Sequence, residues 1–77
     1  MDIKFQKILN EVNPEIFESS SVDLIEDGII DSLVLMQIVS TLESNYAINF
    51  DPDDLVPENF ASVQAIWDLL QKYHTIK

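Results

Sequence analysis

The sequence predicts an all-α protein, a small helical bundle of three main helices plus one short helix, with a long packed loop between helices 1 and 2. Three stretches carry apolar residues at the spacing of one helical face, and no stretch alternates as a strand would. Residues that favour helix N-termini open these stretches, namely Asp2, Asp31-Ser32 and Ser62. With 77 residues and no cysteine, the fold must be stabilised by packing, and the 47% apolar content supplies the side chains.

Length and charge limit the range of functions. The 77 residues are expected to form one domain, 1–77. The formal net charge is −10, and no Lys or Arg lies between Lys7 and Lys72. Since nucleic acids and anionic membranes are bound by basic patches, neither is an expected partner.

No apolar run is long enough for a membrane span, and the N-terminus lacks the apolar segment of a signal peptide. We therefore expect a cytoplasmic monomer that does not insert into membranes.

Helix 1 is predicted to start after Asp2 and to end at Asn13, because the residue before Pro14 avoids the helical region. Its buried face carries Phe5, Ile8, Leu9 and Val12.

The stretch 14–30 shows no helical period and is predicted to be a loop that packs on the helices. Residues 19–21 are its expected tip, and Gly28 is its expected position of positive φ. The apolar side chains expected to point inward are Ile16, Phe17, Val22, Leu24, Ile25, Ile29 and Ile30.

The longest predicted helix runs from Ser32 to about Tyr46 and ends near Asn45, a candidate left-handed residue. Its predicted inward stripe consists of Leu33, Met36, Val39, Leu42 and Tyr46, widened by Leu35 and Ile38. The remaining face carries Val34, Gln37, Thr41 and Ser44.

Residues 51–55 predict the short helix, capped by Asp51 with Pro52 in its first position. Pro57 ends it or restarts a further turn.

The last predicted helix follows Ser62, and its apolar face consists of Val63, Ile66, Trp67, Leu70 and Tyr73.

The residues that could carry chemistry are few. The chain has no Cys, no Arg and one histidine, His74, and no base lies near Ser32 in the sequence. No catalytic residue is therefore predicted. Asp51, Asp53 and Asp54 lack the spacing and the glycine of a calcium-binding loop, so no metal site is predicted either.

Ser32, at the mouth of the longest helix, has two interpretations. Asp31 or Ser32 caps the helix in the ordinary way. Alternatively, Ser32 carries a phosphodiester, which the unpaired N–H groups and the dipole of the first turn would stabilise. The residues alone leave both open.

The run Asp27-Gly28-Ile29-Ile30-Asp31-Ser32-Leu33, followed by an apolar helix that ends in Leu42-Glu43, resembles the acyl carrier protein family. The resemblance covers nearly the whole chain. It implies that Ser32 carries a covalent 4′-phosphopantetheine arm, transferred from coenzyme A by a Mg²⁺-dependent phosphopantetheinyl transferase. Asp31 matches the aspartate before that serine, and Leu33 the leucine that helps partners dock. The thiol of the arm would hold acyl or aminoacyl cargo as a thioester, and the protein would be a non-catalytic carrier.

The resemblance also implies how partners bind. Carriers of fatty acid synthesis have several acids along this helix, whereas this helix has only Glu43. Docking is therefore expected to depend less on charge, with partner-binding positions at Val34, Gln37, Thr41 and Glu43. Residues 50–60 resemble discrete carriers related to the D-alanyl carrier protein or to carriers of specialised biosynthesis. The implied partners, besides the transferase, are an acyl- or aminoacyl-activating ligase and a downstream transferase or synthase.

The sequence leaves two questions open. A helical adaptor of the same fold would bind a protein partner without a prosthetic group, and its affinity would not depend on Ser32. The cargo is also open. A fatty acyl chain would need a cleft, for which Met36, Val39, Phe60, Ile66 and Trp67 are the candidates, although the more economical expectation is that these residues are core.

Overall fold

The structure, a computed structural model, describes residues 2–18 and 23–73. In these residues every regular element is helical, which confirms the predicted all-α class. The α-helices are α1 (Ile3–Val12), α2 (Glu15–Glu18), α3 (Ser32–Tyr46) and α4 (Val63–Tyr73), and two 3₁₀ turns occupy Pro52–Asp54 and Pro57–Phe60. None of the helices in the described ranges is long and apolar enough to cross a bilayer. Residues 19–22 and His74, which figured in the predictions, lie outside the described residues.

Helix α1 forms as its sequence predicts. The Asp2 carboxylate accepts a hydrogen bond of 2.7 Å from the Phe5 N–H and so caps the helix. The helix ends at Asn13, whose backbone is extended, before Pro14. Phe5 and Leu9 are fully buried, so the predicted apolar face is confirmed.

Two predictions about the first loop are wrong. Residues Glu15–Glu18 form a short helix, α2, which starts where the Asn13 side chain accepts from the Glu15 N–H. Four residues are too few to show a helical period, so the pattern could not indicate it. Phe17 was expected to point inward but is 41% exposed, whereas its neighbour Ile16 is buried.

Helix α3 contains the largest difference from the predicted core. Ile38, Val39, Leu42 and Tyr46 are buried as expected, but Leu33 is 69% exposed. Met36, the next member of the predicted inward stripe, is 52% exposed, so the stripe is wrong over the first turn and a half. The left-handed residue at the helix end is Ala47 (φ 55°), and Asn45 is helical, which corrects the predicted end.

The segment after α3 leads back to the core in two tight turns. Asp51 caps the first 3₁₀ turn by accepting from the Asp53 N–H at 2.9 Å, as predicted, and Pro52 occupies its first position. The predicted short helix is thus a 3₁₀ turn, and a second turn follows Pro57. The turn Pro57–Phe60 packs against α4 and buries Phe60 completely.

Helix α4 is capped as predicted, since the Ser62 hydroxyl accepts from the Ala65 N–H at 3.0 Å. Ile66 and Leu70 are fully buried, and Trp67 packs edge-to-face on Phe5 of α1 with ring centroids 5.0 Å apart. Leu69 is also buried, which the predicted face did not include. The core therefore lies between α1, α3 and α4.

Candidate functional site at the start of α3

At the start of α3, the residue that caps the helix and the candidate attachment serine are different residues. Asp31 has an extended backbone, and its carboxylate accepts from the Val34 N–H at 2.9 Å. Its carbonyl accepts from the Leu35 N–H at 2.8 Å. Asp31 is therefore the N-cap, and Ser32 is the first residue inside the helix. Of the two candidate caps in the sequence, the aspartate has that role.

Ser32 is exposed, and no described residue hydrogen-bonds its hydroxyl. The N–H groups in the first turn of a helix have no carbonyl acceptor within the helix. In α3, the Val34 N–H donates to the Asp31 carboxylate, and the other first-turn N–H groups can bind an added anion. The positive end of the helix dipole also lies here and favours a negative group. The Ser32 oxygen is thus accessible and stands where a phosphate ester would be electrostatically stabilised.

The loop before Ser32 is held by bonds to distant parts of the chain. The Leu24 carbonyl accepts from the N–H groups of Ile29 and Ile30, both at 3.0 Å. The Leu24 N–H donates to the Ala61 carbonyl at 2.7 Å, and the Asn13 side chain donates to the Ile29 carbonyl at 3.1 Å. Ile30 is fully buried directly before the cap. Ser32 therefore follows an anchored segment.

Gly28 provides the turn that brings Ile29 and Ile30 back to the Leu24 carbonyl. Its φ is +76°, in the region that L-residues rarely adopt, which confirms the sequence prediction. A Cβ built on Gly28 would meet no atom within 4 Å. Backbone conformation, and not lack of space, is the reason for glycine here.

Ser32 lines a surface groove of about 470 Å³. Leu35 and Met36 of α3 also line it, as do Leu55 and Pro57 from the segment after α3. The 3₁₀ turn before Leu55 is held in place, because the Asp54 carbonyl accepts from the Asn59 side chain at 2.8 Å. The Tyr73 hydroxyl also hydrogen-bonds the Asp54 carboxylate. The groove is large enough, and apolar enough, for part of a flexible chain attached at Ser32.

The exposed surface of α3 that follows Ser32 is uncharged. From Ser32 to Leu42 the sequence contains no acid and no base. Leu33, Met36, Gln37 and Ser40 are exposed at the spacing of one helical face. The exposure of Met36 was missed because α3 is apolar nearly all round, and a pattern of that kind does not indicate which side faces water.

The four predicted partner-binding residues have different surroundings. Val34 is partly buried against the core. The Glu43 carboxylate accepts from the Phe50 N–H at 2.9 Å, which joins α3 to the segment that follows it. Gln37 is exposed and Thr41 half-buried, and the Thr41 hydroxyl donates to the Gln37 carbonyl at 2.7 Å.

The five residues considered as a cargo cleft do not line one opening. Val39, Phe60 and Ile66 are buried, Met36 is on the surface, and Trp67 contacts Phe5. Val39, Phe60 and Ile66 belong to the core and Trp67 packs against it, as expected, whereas the expectation is wrong for Met36.

The perturbed titrating groups lie away from Ser32. Burial, together with a hydrogen bond to Asp2 and the charge of that carboxylate, raises the pKa of Tyr46 from 10.0 to about 12. Hydrogen bonding to Asp54 raises the pKa of Tyr73. In residues 2–18 and 23–73 no group of three or more His, Cys, Asp or Glu side chains forms a metal site. The two tyrosines therefore join separate segments of the fold through their hydrogen bonds to Asp2 and Asp54.

Comparison with known proteins gives one match. A protein-family model described as a phosphopantetheine attachment site matches residues 4–70 of the 77. No curated protein and no solved structure matches the chain significantly.

Proposed function

This chain belongs to the phosphopantetheine attachment family, and from that premise we propose that Ser32 carries the arm and that the protein delivers acyl or aminoacyl cargo to partner enzymes. The family match makes the chain a carrier with covalent 4′-phosphopantetheine as its cofactor. When bound, the arm supplies a thiol that holds cargo as a thioester. The proposal concerns the attachment residue, the partner surface and the cargo class.

One observation carries the assignment of Ser32. Asp31 performs the capping at the start of α3, so the adjacent hydroxyl is free of a structural role. Ser32 is exposed and lines the groove together with Leu35 and Leu55. A phosphodiester on its oxygen would gain from the first-turn N–H groups without displacing the cap. The residues present therefore fit the arm.

The chain's own residues bind and orient, and the partner enzymes supply the chemistry. Asp31 caps the helix and so holds the Ser32 oxygen in place. Leu33 and Met36, exposed on the same face of α3 just after the serine, give a partner an apolar contact. Gln37 and Thr41 extend that surface along α3. The partners we propose are a phosphopantetheinyl transferase, an activating ligase, and a transferase or synthase that receives the cargo.

The attachment is tested by intact-protein mass. The unmodified 77-residue chain is incubated with coenzyme A, Mg²⁺ and a broad-specificity phosphopantetheinyl transferase. We expect a mass increase of one phosphopantetheine in the wild type. We expect none in Ser32→Ala. The matched control is Ser40→Ala, because Ser40 is also an exposed serine of α3.

The proposal fails if the wild type gains no mass, or if Ser32→Ala gains as much as Ser40→Ala. A chain that gains no mass and yet binds a protein partner equally well with and without Ser32 would be an adaptor of the same fold.

A further inference from the structure

The large apolar side chains that are exposed in the described residues form two pairs. Leu33 and Met36 follow Ser32 on α3, and the proposed function uses them. Ile3, 70% exposed, and Phe17, 41% exposed, line a separate groove of about 370 Å³. This groove shares no lining residue with the groove at Ser32. Neither the core nor attachment at Ser32 accounts for the second pair.

The groove lies on the side of α1 that the core does not use. Ile3, Lys7 and Asn10 follow one another at intervals of four and three residues and form one exposed face of the helix. Phe5 and Leu9, which are fully buried, lie on the other side. An occupant of the groove therefore contacts the outer face of α1.

Phe17 is held at the edge of this groove by an anchored turn. The Phe17 N–H donates to the Pro14 carbonyl at 3.2 Å, and the Ile16 N–H donates to the Asn13 carbonyl at 3.1 Å. The Asn13 side chain also donates to the Ile29 carbonyl at 3.1 Å, which ties the turn to a distant segment. Because Ile16 is buried, the adjacent ring of Phe17 lies on the outside. The fold itself therefore keeps this ring exposed.

Lys7 is the charged residue that lines the groove. It forms no ion pair with a carboxylate in the described part of the chain, although Glu11 follows it by one helical turn. Lys4, by contrast, donates to the Asn45 carbonyl at 2.7 Å and lies over the Tyr46 ring. The Lys7 ammonium is therefore available to an anion from outside the chain.

A second copy of this chain does not suit the groove. Lys7 stands between Ile3 and Asn10 on the exposed face, so a two-fold pairing of two α1 helices would place it against its own counterpart. The net charge of −10 on each copy adds a general repulsion. The complementary surface is therefore one with a carboxylate opposite Lys7 and large apolar side chains opposite Ile3 and Phe17.

We infer that the groove between α1 and α2 binds an amphipathic helix of a second protein, which presents one carboxylate to Lys7 and apolar side chains to Ile3 and Phe17. A helix fits because every regular element in the described ranges is helical and offers no strand edge to an extended segment. Glu15 and Glu18 are exposed on the same short helix as Phe17 and would repel a strongly acidic segment. The occupant therefore carries a single carboxylate between its apolar side chains.

Binding at this groove leaves the attachment serine accessible. Its lining residues come from α1 and α2, whereas Ser32 and the exposed apolar pair after it belong to α3. The surface therefore suits a protein that holds the carrier in place while other enzymes act at Ser32. This role, unlike the binding itself, rests on the proposed function.

The binding is tested with the unmodified full chain, so that its outcome does not depend on attachment at Ser32. The ¹⁵N-labelled protein is titrated with a synthetic helical peptide of alanine and glutamine that carries leucine, glutamate and leucine at intervals of four and three residues. Amide shifts are followed by NMR, and we expect saturable shifts centred on Ile3, Lys7 and Phe17. Peptides with lysine in place of the glutamate, or with serine in place of the leucines, should bind at least about fivefold more weakly.

Matched variants locate the site. Lys7→Gln should weaken binding of the glutamate peptide about fivefold, whereas Lys72→Gln removes the same charge from α4 and should leave the affinity unchanged. Phe17→Ala should weaken binding about tenfold through the loss of an apolar anchor. Ile3→Ser, at a position outside the core, should act in the same direction, and Met36→Ala is its control on α3.

The inference is overturned if the shifts do not saturate, or if Lys7→Gln and Lys72→Gln change the affinity equally. It is also overturned if the protein associates with itself through this groove, which concentration-dependent shifts at Ile3 and Phe17 without peptide would reveal. Any of these results would leave the mass test of Ser32 unaffected, so the two proposals fail separately.

Discussion

The two ends of α3 differ in how much of their surface the fold uses. At the C-terminal end, Tyr46 is buried, its hydroxyl bonds the Asp2 carboxylate at 3.1 Å, and Lys4 lies 4.5 Å from the centre of its ring. At the N-terminal end, Ser32 has no hydroxyl partner among the described residues, and Leu33 is 69% exposed. The C-terminal end of α3 is therefore held by contacts with α1, whereas the side chains at its N-terminal end are exposed to solvent.

This difference makes the expected effects of substitutions unequal along one helix. Changes at the anchored end should lower the free energy of unfolding. Changes at the exposed end should leave that free energy almost unaltered and alter modification and partner binding. Substitutions at the two ends of α3 therefore test this contrast.

The largest effect is expected for Leu42→Ala. Leu42 is fully buried, so its truncation should lower the free energy of unfolding by about 2–5 kcal/mol through lost burial and a residual cavity. Leu33→Ala removes the same atoms from the exposed end and should cost less than about 0.5 kcal/mol. Urea denaturation followed by circular dichroism measures both. Equal losses would mean that the first turn of α3 is part of the core.

Tyr46→Phe should have the next largest effect. It removes the hydroxyl that bonds the charged Asp2 side chain and keeps the ring, so a loss of about 1.5 kcal/mol is expected. Tyr73→Phe is the comparison, because Tyr73 bonds Asp54 from a more exposed position. A larger loss of unfolding free energy for Tyr73→Phe would contradict the expectation that the Tyr46–Asp2 hydrogen bond stabilises the fold more than the Tyr73–Asp54 bond does.

The same tyrosine predicts a dependence of stability on alkaline pH. Its pKa is about 12 in the folded state against the ordinary 10.0, so the folded state holds the phenolic proton more tightly. This contribution to stability is complete below pH 10 and is lost as the pH rises toward about 12. The free energy of unfolding should fall over that window, and Tyr46→Phe should reduce the fall. A wild-type curve that stays level from pH 10 to 12 would contradict the prediction.

Asp31→Ala should lower the free energy of unfolding by about 1 kcal/mol, since it removes the cap of α3. Asp31→Asn retains a capping oxygen and should be close to the wild type. Ser32→Ala should change stability by less than about 0.5 kcal/mol, because Asp31 and not Ser32 forms the cap. Thermal unfolding of the three variants separates the roles. The assignment of the cap fails if Ser32→Ala is the most destabilising of the set.

The smallest effect on stability, less than about 0.5 kcal/mol, is expected for Met36→Ala. The second-order rate of modification by the transferase should nevertheless fall about fivefold, because an exposed apolar anchor is lost from the docking surface. The ratio of wild-type to variant rates should stay constant over a salt titration, since the side chain carries no charge. Ser44→Ala, at the other end of the helix, is the control, and a similar fall there would remove the distinction between the two ends.

Much of the fold was predictable because its signals are local. Asp2, Asp51 and Ser62 bond N–H groups within three residues of themselves, so each cap was readable from a few neighbouring residues. Gly28 was readable because it is the only glycine and its turn needs positive φ. The left-handed Ala47 was not readable, because Asn45 is the better former of that conformation in isolation.

The candidate site was predictable in part. The run from Asp27 to Leu33 drew attention to Ser32 through a resemblance, and the family match covers the region. The exposure of Met36 was not predictable. It depends on which elements pack against α3, and the sequence pattern of α3 is apolar on more than one side.

By itself, the sequence determined the three long helices, their caps at Asp2 and Ser62, and the family of carriers to which the chain belongs. These follow from residue spacings and from bonds that span three or four positions. Tertiary structure alone decided which side of α3 is solvent-exposed. The physical reason is that exposure depends on the neighbours that distant segments supply. Leu33 and Met36 have too few such neighbours to be buried, and this is why an open apolar surface follows the serine along α3.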